Sequence, residues 1–176
     1  MTGDHRLRVD VIPGEEVAIS ARPVADGYRR AVTLEPLVVP GGLGAHKWRD
    51  RRLLDIATRY RGTTFGHELA PLLVDTDGTV LEAAWGNVWI LEDDALITPL
   101  ADGRILPGVT RALLLELAPS LGLHPREEPI SLHRLEAAPI TFATSAIRLA
   151  VPVAVGGGTA PPPPAVDHLQ GALAAH

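Results

Sequence analysis

Lys47 is the single lysine of this chain, and the fifteen other basic residues are all arginine. A lysine amine can lose its proton and attack a carbonyl carbon, whereas the guanidinium of arginine stays charged and delocalised. A composition that replaces lysine almost everywhere allows two interpretations of Lys47: a residue retained for its chemistry, or a surface lysine that survived by chance. Composition alone favours neither interpretation.

Other arrangements that could carry chemistry are incomplete. Residues 41–47 are glycine-rich and end on Lys47, but their spacing differs from a nucleotide-binding loop and no Ser or Thr follows to hold magnesium. Residues 75–78 resemble the start of a calcium loop, yet the bidentate Glu is not at its place, so a turn explains them better. The seven histidines are scattered, and no Gly-x-Ser-x-Gly turn occurs. We therefore predict no metal site and no serine hydrolase site.

Length, charge and cysteine content restrict the class of protein. The chain has 176 residues, a net charge of -5 and no cysteine. We expect one domain, or one domain and a piece of another, without a nucleic-acid partner. The absence of thiols excludes disulfides and fits a cytoplasmic protein. The longest apolar runs are far shorter than the roughly 20 residues of a membrane helix, and the amino terminus shows no secretory signal.

The elements that must position Lys47 are predicted from hydrophobic periodicity, which indicates strands in hairpins with single helices between them. The predicted strands are residues 7–11 with 17–21 across a turn at 13–16, 31–39, 72–74 with 79–81, 87–91 with 95–98, and 140–144 with 147–155. The predicted helices are residues 48–60, 109–118, 132–137 after a Ser131 cap, and 165–175. Lys47 then lies at or just before the start of the first helix. This order favours an α+β fold of antiparallel hairpins with a few packed helices over a doubly wound parallel fold.

Three blocks of sequence, residues 44–51, 81–89 and 105–111, resemble the class IV pyridoxal-phosphate enzymes in their order. In that family a Schiff-base lysine precedes a glutamate ahead of an Asn-aromatic strand, and a Leu-Pro-Gly-Ile/Val-Thr-Arg helix start follows. The family contains branched-chain and D-amino-acid aminotransferases and 4-amino-4-deoxychorismate lyase. The resemblance extends from about Leu7 to Val155. It implies a D-amino-acid aminotransferase-like domain that binds pyridoxal 5'-phosphate and a small-molecule substrate.

The resemblance also implies a role for each block. Lys47 would bind the cofactor aldehyde as an imine and shuttle the substrate Cα proton, while Glu82 would keep the pyridine nitrogen protonated. Backbone amides at the start of the second helix and in the turn at Ser145 would hold the phosphate. A surface lysine, a solvated carboxylate, an ordinary Pro-Gly helix start and a polar turn are the respective alternatives. The implied cofactor-binding positions are Lys47, Arg51, Glu82, Leu106, Gly108, Val109, Thr110, Ser145 and Ala146.

Arg51 favours the lyase among the activities of the family. It stands four residues after Lys47, where the lyases often carry arginine, while the branched-chain enzymes tend to place tyrosine slightly later. The implied reaction converts 4-amino-4-deoxychorismate to 4-aminobenzoate and pyruvate for folate biosynthesis. A branched-chain or D-amino-acid aminotransferase and a truncated, non-catalytic remnant are the alternatives. Trp85, Trp89 and Arg148 could line the site, although core packing or a solvent-facing position explains each as well.

The family usually has a complete small domain ahead of the lysine, and only 46 residues precede Lys47 here. The boundaries that follow are 1–30 for a remnant of that domain, 31–155 for the cofactor-binding domain, 156–164 for a Gly/Pro-rich linker and 165–176 for a terminal helix. We expect a homodimer, or pairing with an aminodeoxychorismate synthase component or a separate small domain. Alone, the chain is expected to bind cofactor weakly. Arg22, Arg29 or Arg30 could replace the small-domain phosphate arginine only by an unusual geometry.

Overall fold

The computed structural model describes residues 5–11, 14, 16–24, 30–48, 50–61, 68–162 and 164–176. The strands and helices in these ranges are β1 (His5–Asp10), β2 (Ala18–Pro23), β3 (Val32–Val38), α1 (Arg52–Arg61), β4 (Glu68–Val74), β5 (Val80–Ala83), β6 (Asn87–Glu92), β7 (Ala95–Thr98), α2 (Val109–Leu117), β8 (His124–Glu127), α3 (Leu132–Ala137), β9 (Ile140–Ser145), β10 (Leu149–Val155) and α4 (Pro164–Ala174). A short 3-10 helix, Ala118–Leu121, follows α2. None of the described helices is long and apolar enough to cross a membrane.

Eight strands form one sheet in the order β5-β4-β3-β10-β9-β6-β7-β8, while β1 and β2 form a separate hairpin. The large sheet curls, because β5 and β6 contact each other across the turn at residues 84–86 although four strands separate them in the sheet order. Glu82, on β5, and Asn87, at the start of β6, lie on either side of this turn. The predicted α+β class and all four predicted hairpins are confirmed.

The predicted antiparallel hairpins do not account for the whole sheet, which also contains three parallel pairings. β3 runs parallel to both β4 and β10, and β7 runs parallel to β8. A parallel pair needs a crossover connection, which contains α1 between β3 and β4 and α2 between β7 and β8. Hairpin signals detect only strands that are adjacent in sequence, so they cannot reveal these pairings. β8 was not predicted because it is short, polar and mostly exposed at the sheet edge, and it contains Pro125.

The prediction that Lys47 adjoins a helix is also wrong, because α1 begins at Arg52, five residues later. The carboxylate of Asp50 accepts the backbone N–H of Arg52 at 3.0 Å, which satisfies an amide of the first helical turn. The indole N–H of Trp48 donates to the carbonyl oxygen of Leu43 at 2.7 Å. The described residues 45–48, 50 and 51 are not helical, and these two hydrogen bonds fix Trp48 and Asp50 in that conformation. The other predicted helices are confirmed, including the Ser131 cap, whose hydroxyl accepts the N–H of Arg134 at 3.2 Å.

Alternate side chains of the sheet supply three buried clusters, since successive residues of a strand point to opposite faces. The first cluster joins β3, β4, β5, β6 and β10 to Leu135 of α3. The second joins β6 and β9 to α2 and to Leu169 of α4. The third packs α1 and the loop before Lys47 against β4 and β5, and it consists of Val39, Leu54, Leu73, Leu81 and Ile105.

The β1–β2 hairpin has one apolar face. Leu7 pairs with Ala21 and Val9 pairs with Ile19, which places these side chains together on that face. Leu7 is 69% exposed and Ile19 is 70% exposed. Pro13 and Glu15 of the predicted turn lie outside the described residues.

Trp89 offers a test of this core. Its ring is fully buried, stacks on Phe142 at a centroid distance of 5.9 Å, and donates its indole N–H to the Thr144 hydroxyl at 2.9 Å. We expect Trp89→Ala to lower the free energy of unfolding by about 3–5 kcal/mol, because it leaves a large cavity. Trp48→Ala, at a position 64% exposed, should cost less than about 1 kcal/mol. Urea denaturation measures both values, and equal losses would contradict the assignment of Trp89 to the core.

Candidate active site

Lys47 lies on an exposed part of the loop between β3 and α1. The Trp48 indole fastens the backbone beside it to Leu43. Four residues further, the half-buried Arg51 donates a hydrogen bond to the carbonyl oxygen of Ala84, in the turn that follows β5. The loop that carries Lys47 is therefore tied to the strand that carries Glu82.

Glu82 is a buried carboxyl group, 8% exposed. Burial raises its pKa to about 7, although the Leu106 N–H and the positive charges of Arg51 and Lys47 act in the opposite direction. The Leu106 N–H donates to Glu82 Oε2 at 3.3 Å. A solvated carboxylate at a strand end is thus not what the structure contains. Glu82 instead lies within electrostatic reach of Lys47 and Arg51 and can hold or release a proton near neutral pH.

The start of α2 lies next to Glu82. Leu106 donates to Glu82 through its N–H, and its carbonyl oxygen accepts the Asn87 side-chain amide at 2.9 Å. Gly108 is the N-cap residue with extended backbone, and neither a side-chain cap nor an acidic residue occupies the first turn. The N–H groups of the first turn, which have no acceptor inside the helix, are therefore available to an anion. Val109 is exposed at this end, and Thr110 is buried.

The turn after β9 joins the same region through Gly86. A Cβ on Gly86 would lie 2.1 Å from the carbonyl oxygen of Thr144 and 3.3 Å from Cβ of Ser145, so only glycine fits there. Ser145 is half-buried, and its hydroxyl accepts the N–H of Arg148 at 3.2 Å. Ala146, the next residue, is exposed. The turn after β5 and the end of β9 are consequently in direct contact.

The structure thus connects the sequence-derived positions by contacts of different kinds. Glu82 accepts a hydrogen bond from Leu106 and experiences the positive charge of Arg51. Ser145 is close to the turn after β5 through its contact with Gly86. Among the aromatic candidates, Trp89 belongs to the core, whereas Trp85 is half-buried with the Arg148 guanidinium 4.8 Å above its ring.

Several predicted contributors lie elsewhere. Arg22, on β2, and Arg30, just before β3, are exposed, and Arg29 lies outside the described residues. The sequence blocks assigned no role to Asn87, although its side-chain amide donates to the carbonyl oxygen of Leu106, just before α2. Its position in the same block as Glu82 is the only feature of the sequence that pointed to it. Among the residues that the structure describes, no three His, Asp or Glu side chains are grouped to hold a metal ion.

The donor set suits a ligand that carries an aldehyde, a basic aromatic nitrogen and a phosphate. Lys47 provides a primary amine, Glu82 a buried carboxyl with a pKa near neutrality, and the start of α2 a set of free backbone N–H groups. Pyridoxal 5'-phosphate carries these three groups, so the residues present fit it.

A family model described as amino-transferase class IV matches residues 20–155. A "Probable branched-chain-amino-acid aminotransferase" of Rickettsia bellii is 36% identical over 89 residues, which are 51% of this chain and 30% of that protein. The match therefore spans less than a third of the length of this curated relative.

Two solved structures show the same fold. A Legionella pneumophila protein described as "Putative 4-amino-4-deoxychorismate lyase" is 22% identical with a TM-score of 0.79, covering 90% of this chain and 60% of that one. A hypothetical aminotransferase of Mycobacterium tuberculosis in its PLP-bound form is 23% identical with a TM-score of 0.72, covering 90% and 61%. At these identities the likeness concerns the fold alone, and it confirms the fold that the sequence blocks implied. The family model matches most of this chain, so the chain belongs to the amino-transferase class IV family.

Proposed function

We propose that this chain binds pyridoxal 5'-phosphate and uses it to activate the Cα position of an amino substrate. The observation that carries the proposal is the buried Glu82, whose pKa is raised to about 7 within electrostatic reach of Lys47. When bound, the cofactor supplies a protonated pyridine ring that withdraws electrons from the substrate Cα. The chain's own residues bind, orient and exchange protons around that ring.

Lys47 holds the cofactor through its aldehyde and moves the substrate proton. Its exposed position on the loop leaves the amine accessible to both partners. A primary amine can serve as nucleophile and then as acid or base, whereas arginine can do neither at neutral pH. This requirement explains why one lysine remains in a chain that otherwise uses arginine.

Glu82 keeps a proton on the pyridine nitrogen. In the free protein, burial favours the neutral carboxyl group. A cationic ring placed beside it favours the carboxylate, and the attraction between the two is strong because little water is present. The Leu106 N–H, at 3.3 Å, fixes the orientation of the carboxyl group during this exchange.

The start of α2 and the turn at Ser145 bind the phosphate. The uncapped helix end offers backbone N–H groups and the positive end of the helix dipole. Thr110 and Ser145 add hydroxyl groups, and the N–H groups of Val109 and Ala146 complete the set. Asn87 and Gly86 bring these two segments toward each other.

The reaction we favour is the lyase reaction, which forms 4-aminobenzoate and pyruvate from 4-amino-4-deoxychorismate. Arg51, which bonds Ala84 beside Glu82, supports it, because the lyases often carry arginine at this distance from the lysine. The Legionella neighbour supports it through its description. Transamination of a branched-chain or D-amino acid is the second candidate, favoured by the naming of the Rickettsia relative.

The boundaries 1–30, 31–155, 156–164 and 165–176 serve as a proposal for the domain organisation. The exposed apolar face of the β1–β2 hairpin supports its assignment to a small-domain remnant. We further propose that a second copy of the chain, a separate small domain or a synthase component covers the cofactor, and that the isolated chain binds it weakly because water enters the cleft.

The first test uses the single lysine. Borohydride reduction of the protein with pyridoxal 5'-phosphate should fix the cofactor on the peptide that contains Lys47, as read by mass spectrometry. Lys47→Arg keeps the positive charge and removes the nucleophile, so this adduct should disappear. An equal amount of adduct in Lys47→Arg would locate it at the chain's amino terminus and contradict the assignment.

The second test uses the pKa of Glu82. Because the folded-state pKa, about 7, exceeds that of the unfolded chain, the folded protein holds the proton between roughly pH 4.5 and 7 while the unfolded chain has lost it. The neutral form's contribution to stability is fully present below pH 4.5 and is lost as the pH rises through 7. Glu82→Gln removes this dependence.

Urea unfolding of the cofactor-free proteins measures the free energy of unfolding of Glu82→Gln minus that of wild type. We expect this difference to rise by about 3 kcal/mol when the pH is raised from 4.5 to 8. The exposed Glu116 provides the control, and Glu116→Gln should change the free energy of unfolding by less than about 0.5 kcal/mol at either pH. A pH-independent difference between wild type and Glu82→Gln would contradict the raised pKa.

The third test separates the two reactions. With the cofactor and 4-amino-4-deoxychorismate, the chain should release 4-aminobenzoate, and the release should fall at least about 100-fold in Lys47→Arg. A parallel assay with branched-chain or D-amino acids measures glutamate formed from 2-oxoglutarate. Glutamate formation without 4-aminobenzoate would exclude the lyase and establish the second candidate.

A further inference from the structure

Arg104 lies in the loop between β7 and α2 and bonds two carboxylates. Its Nη1 donates to Asp75 Oδ2 at 2.9 Å, and its Nε donates to Asp102 Oδ2 at 2.9 Å. Asp75 also accepts the backbone N–H of Gly41 at 3.1 Å. The Arg104 side chain is 31% exposed and that of Asp75 is 15% exposed. Three segments that are distant in sequence therefore meet at one ion pair.

The backbone of Arg104 makes a second connection to the same loop. Its carbonyl oxygen accepts the N–H of Gly44 at 3.2 Å. Gly42 has a φ of +72°, and a Cβ there would lie 2.1 Å from this carbonyl oxygen. Only glycine satisfies both the backbone conformation and the close approach. Residues 41–44 thus lie directly on Arg104.

These contacts connect the loop that carries Lys47 with the segment that leads to α2. In the proposed function, Lys47 binds the aldehyde of the cofactor and the start of α2 binds its phosphate. Lys47 follows Gly44 by three residues, and Gly108, at the start of α2, follows Arg104 by four. Ile105 packs in the same buried cluster as Val39, at the beginning of the loop that leads to Lys47. A shift of Arg104 would move both segments relative to each other.

We propose that Arg104, through Asp75 and the backbone of residues 41–44, is a positioning residue that sets the distance between the Lys47 amine and the start of α2. The inference rests on the proposed function, because that distance must match the separation of the cofactor's aldehyde and phosphate. Displacements of about 1 Å matter for such sites, since reacting groups must meet in a narrow geometry. No role for Arg104 follows from the sequence blocks around Lys47, Glu82 and Leu106.

The chemistry of the contact explains the choice of arginine. A guanidinium presents several N–H donors in a rigid fork and can bond Asp75 and Asp102 at once, whereas a lysine ammonium is a flexible point charge. Gly41 and Thr76 donate backbone N–H groups to Asp75, and with Arg104 they lower its pKa to about 2. The carboxylate therefore stays charged throughout the physiological range. The pair joins three segments of the chain, so we expect its loss to change the local geometry of these segments.

The experiment compares Arg104→Ala and Arg104→Lys with a matched control, Arg134→Ala. Arg134 also bridges two carboxylates, those of Glu92 and Glu128, with a side chain 35% exposed, but it lies on α3 outside the contacts described above. Hydrogen exchange of the cofactor-free protein is measured for residues 40–48 and 104–112. The dissociation constant of pyridoxal 5'-phosphate is measured by titration.

In Arg104→Ala we expect faster exchange in both segments and about tenfold weaker cofactor binding, the size of one charged hydrogen bond. Arg104→Lys should lie between this variant and wild type, and Arg134→Ala should match wild type in both measurements. Exchange at wild-type rates in Arg104→Ala, or equal effects of Arg134→Ala, would overturn the positioning role. If the wild type bound no cofactor, the proposed function would fail together with the cofactor role of Arg104. If the wild type binds the cofactor and Arg104→Ala exchanges at wild-type rates, the positioning role alone is contradicted.

Discussion

The burial of the Glu82 carboxyl group is the constraint on which the site depends. A group only 8% exposed cannot rely on water, and its pKa of about 7 expresses that loss of solvation. Its partners come from separate parts of the chain: the Leu106 N–H from the approach to α2, and the charges of Lys47 and Arg51 from the loop before α1. The low local polarity that disfavours the free carboxylate also strengthens its attraction to a bound cation.

Glu82 lies next to the short turn that joins β5 to β6. Glu82 and Asn87 both bond the backbone of Leu106. Val39, at the beginning of the loop that leads to Lys47, and Ile105, just before Leu106, belong to one buried apolar cluster. Apolar packing stabilises these segments against each other. The hydrogen bonds of Asn87 and Arg104 fix the relative positions of their backbones. The polar geometry of the site is consequently a product of the hydrophobic core beneath it.

Local sequence patterns were sufficient for the hairpins, the Ser131 cap and the approximate limits of α2 and α4, because these features depend on residues close in the chain. They were insufficient for the three parallel pairings, whose strands are joined by crossovers. They also extended α1 into the segment of Lys47, since helical spacing carries no information about the competing bonds made by Asp50 and Trp48.

By itself, the sequence determined the family, through three blocks in a fixed order, and it singled out Lys47, Glu82 and the residues from Leu106 to Thr110 as candidates. Only the tertiary structure decided that Glu82 is buried, that Trp89 belongs to the core and that Asn87 and Arg104 hold the neighbouring segments. The physical reason is separation along the chain. Asn87 and Leu106 lie 19 residues apart, Arg104 and Asp75 lie 29 apart, and Trp89 and Thr144 lie 55 apart. A one-dimensional pattern contains no measure of which distant segments the folded chain brings together.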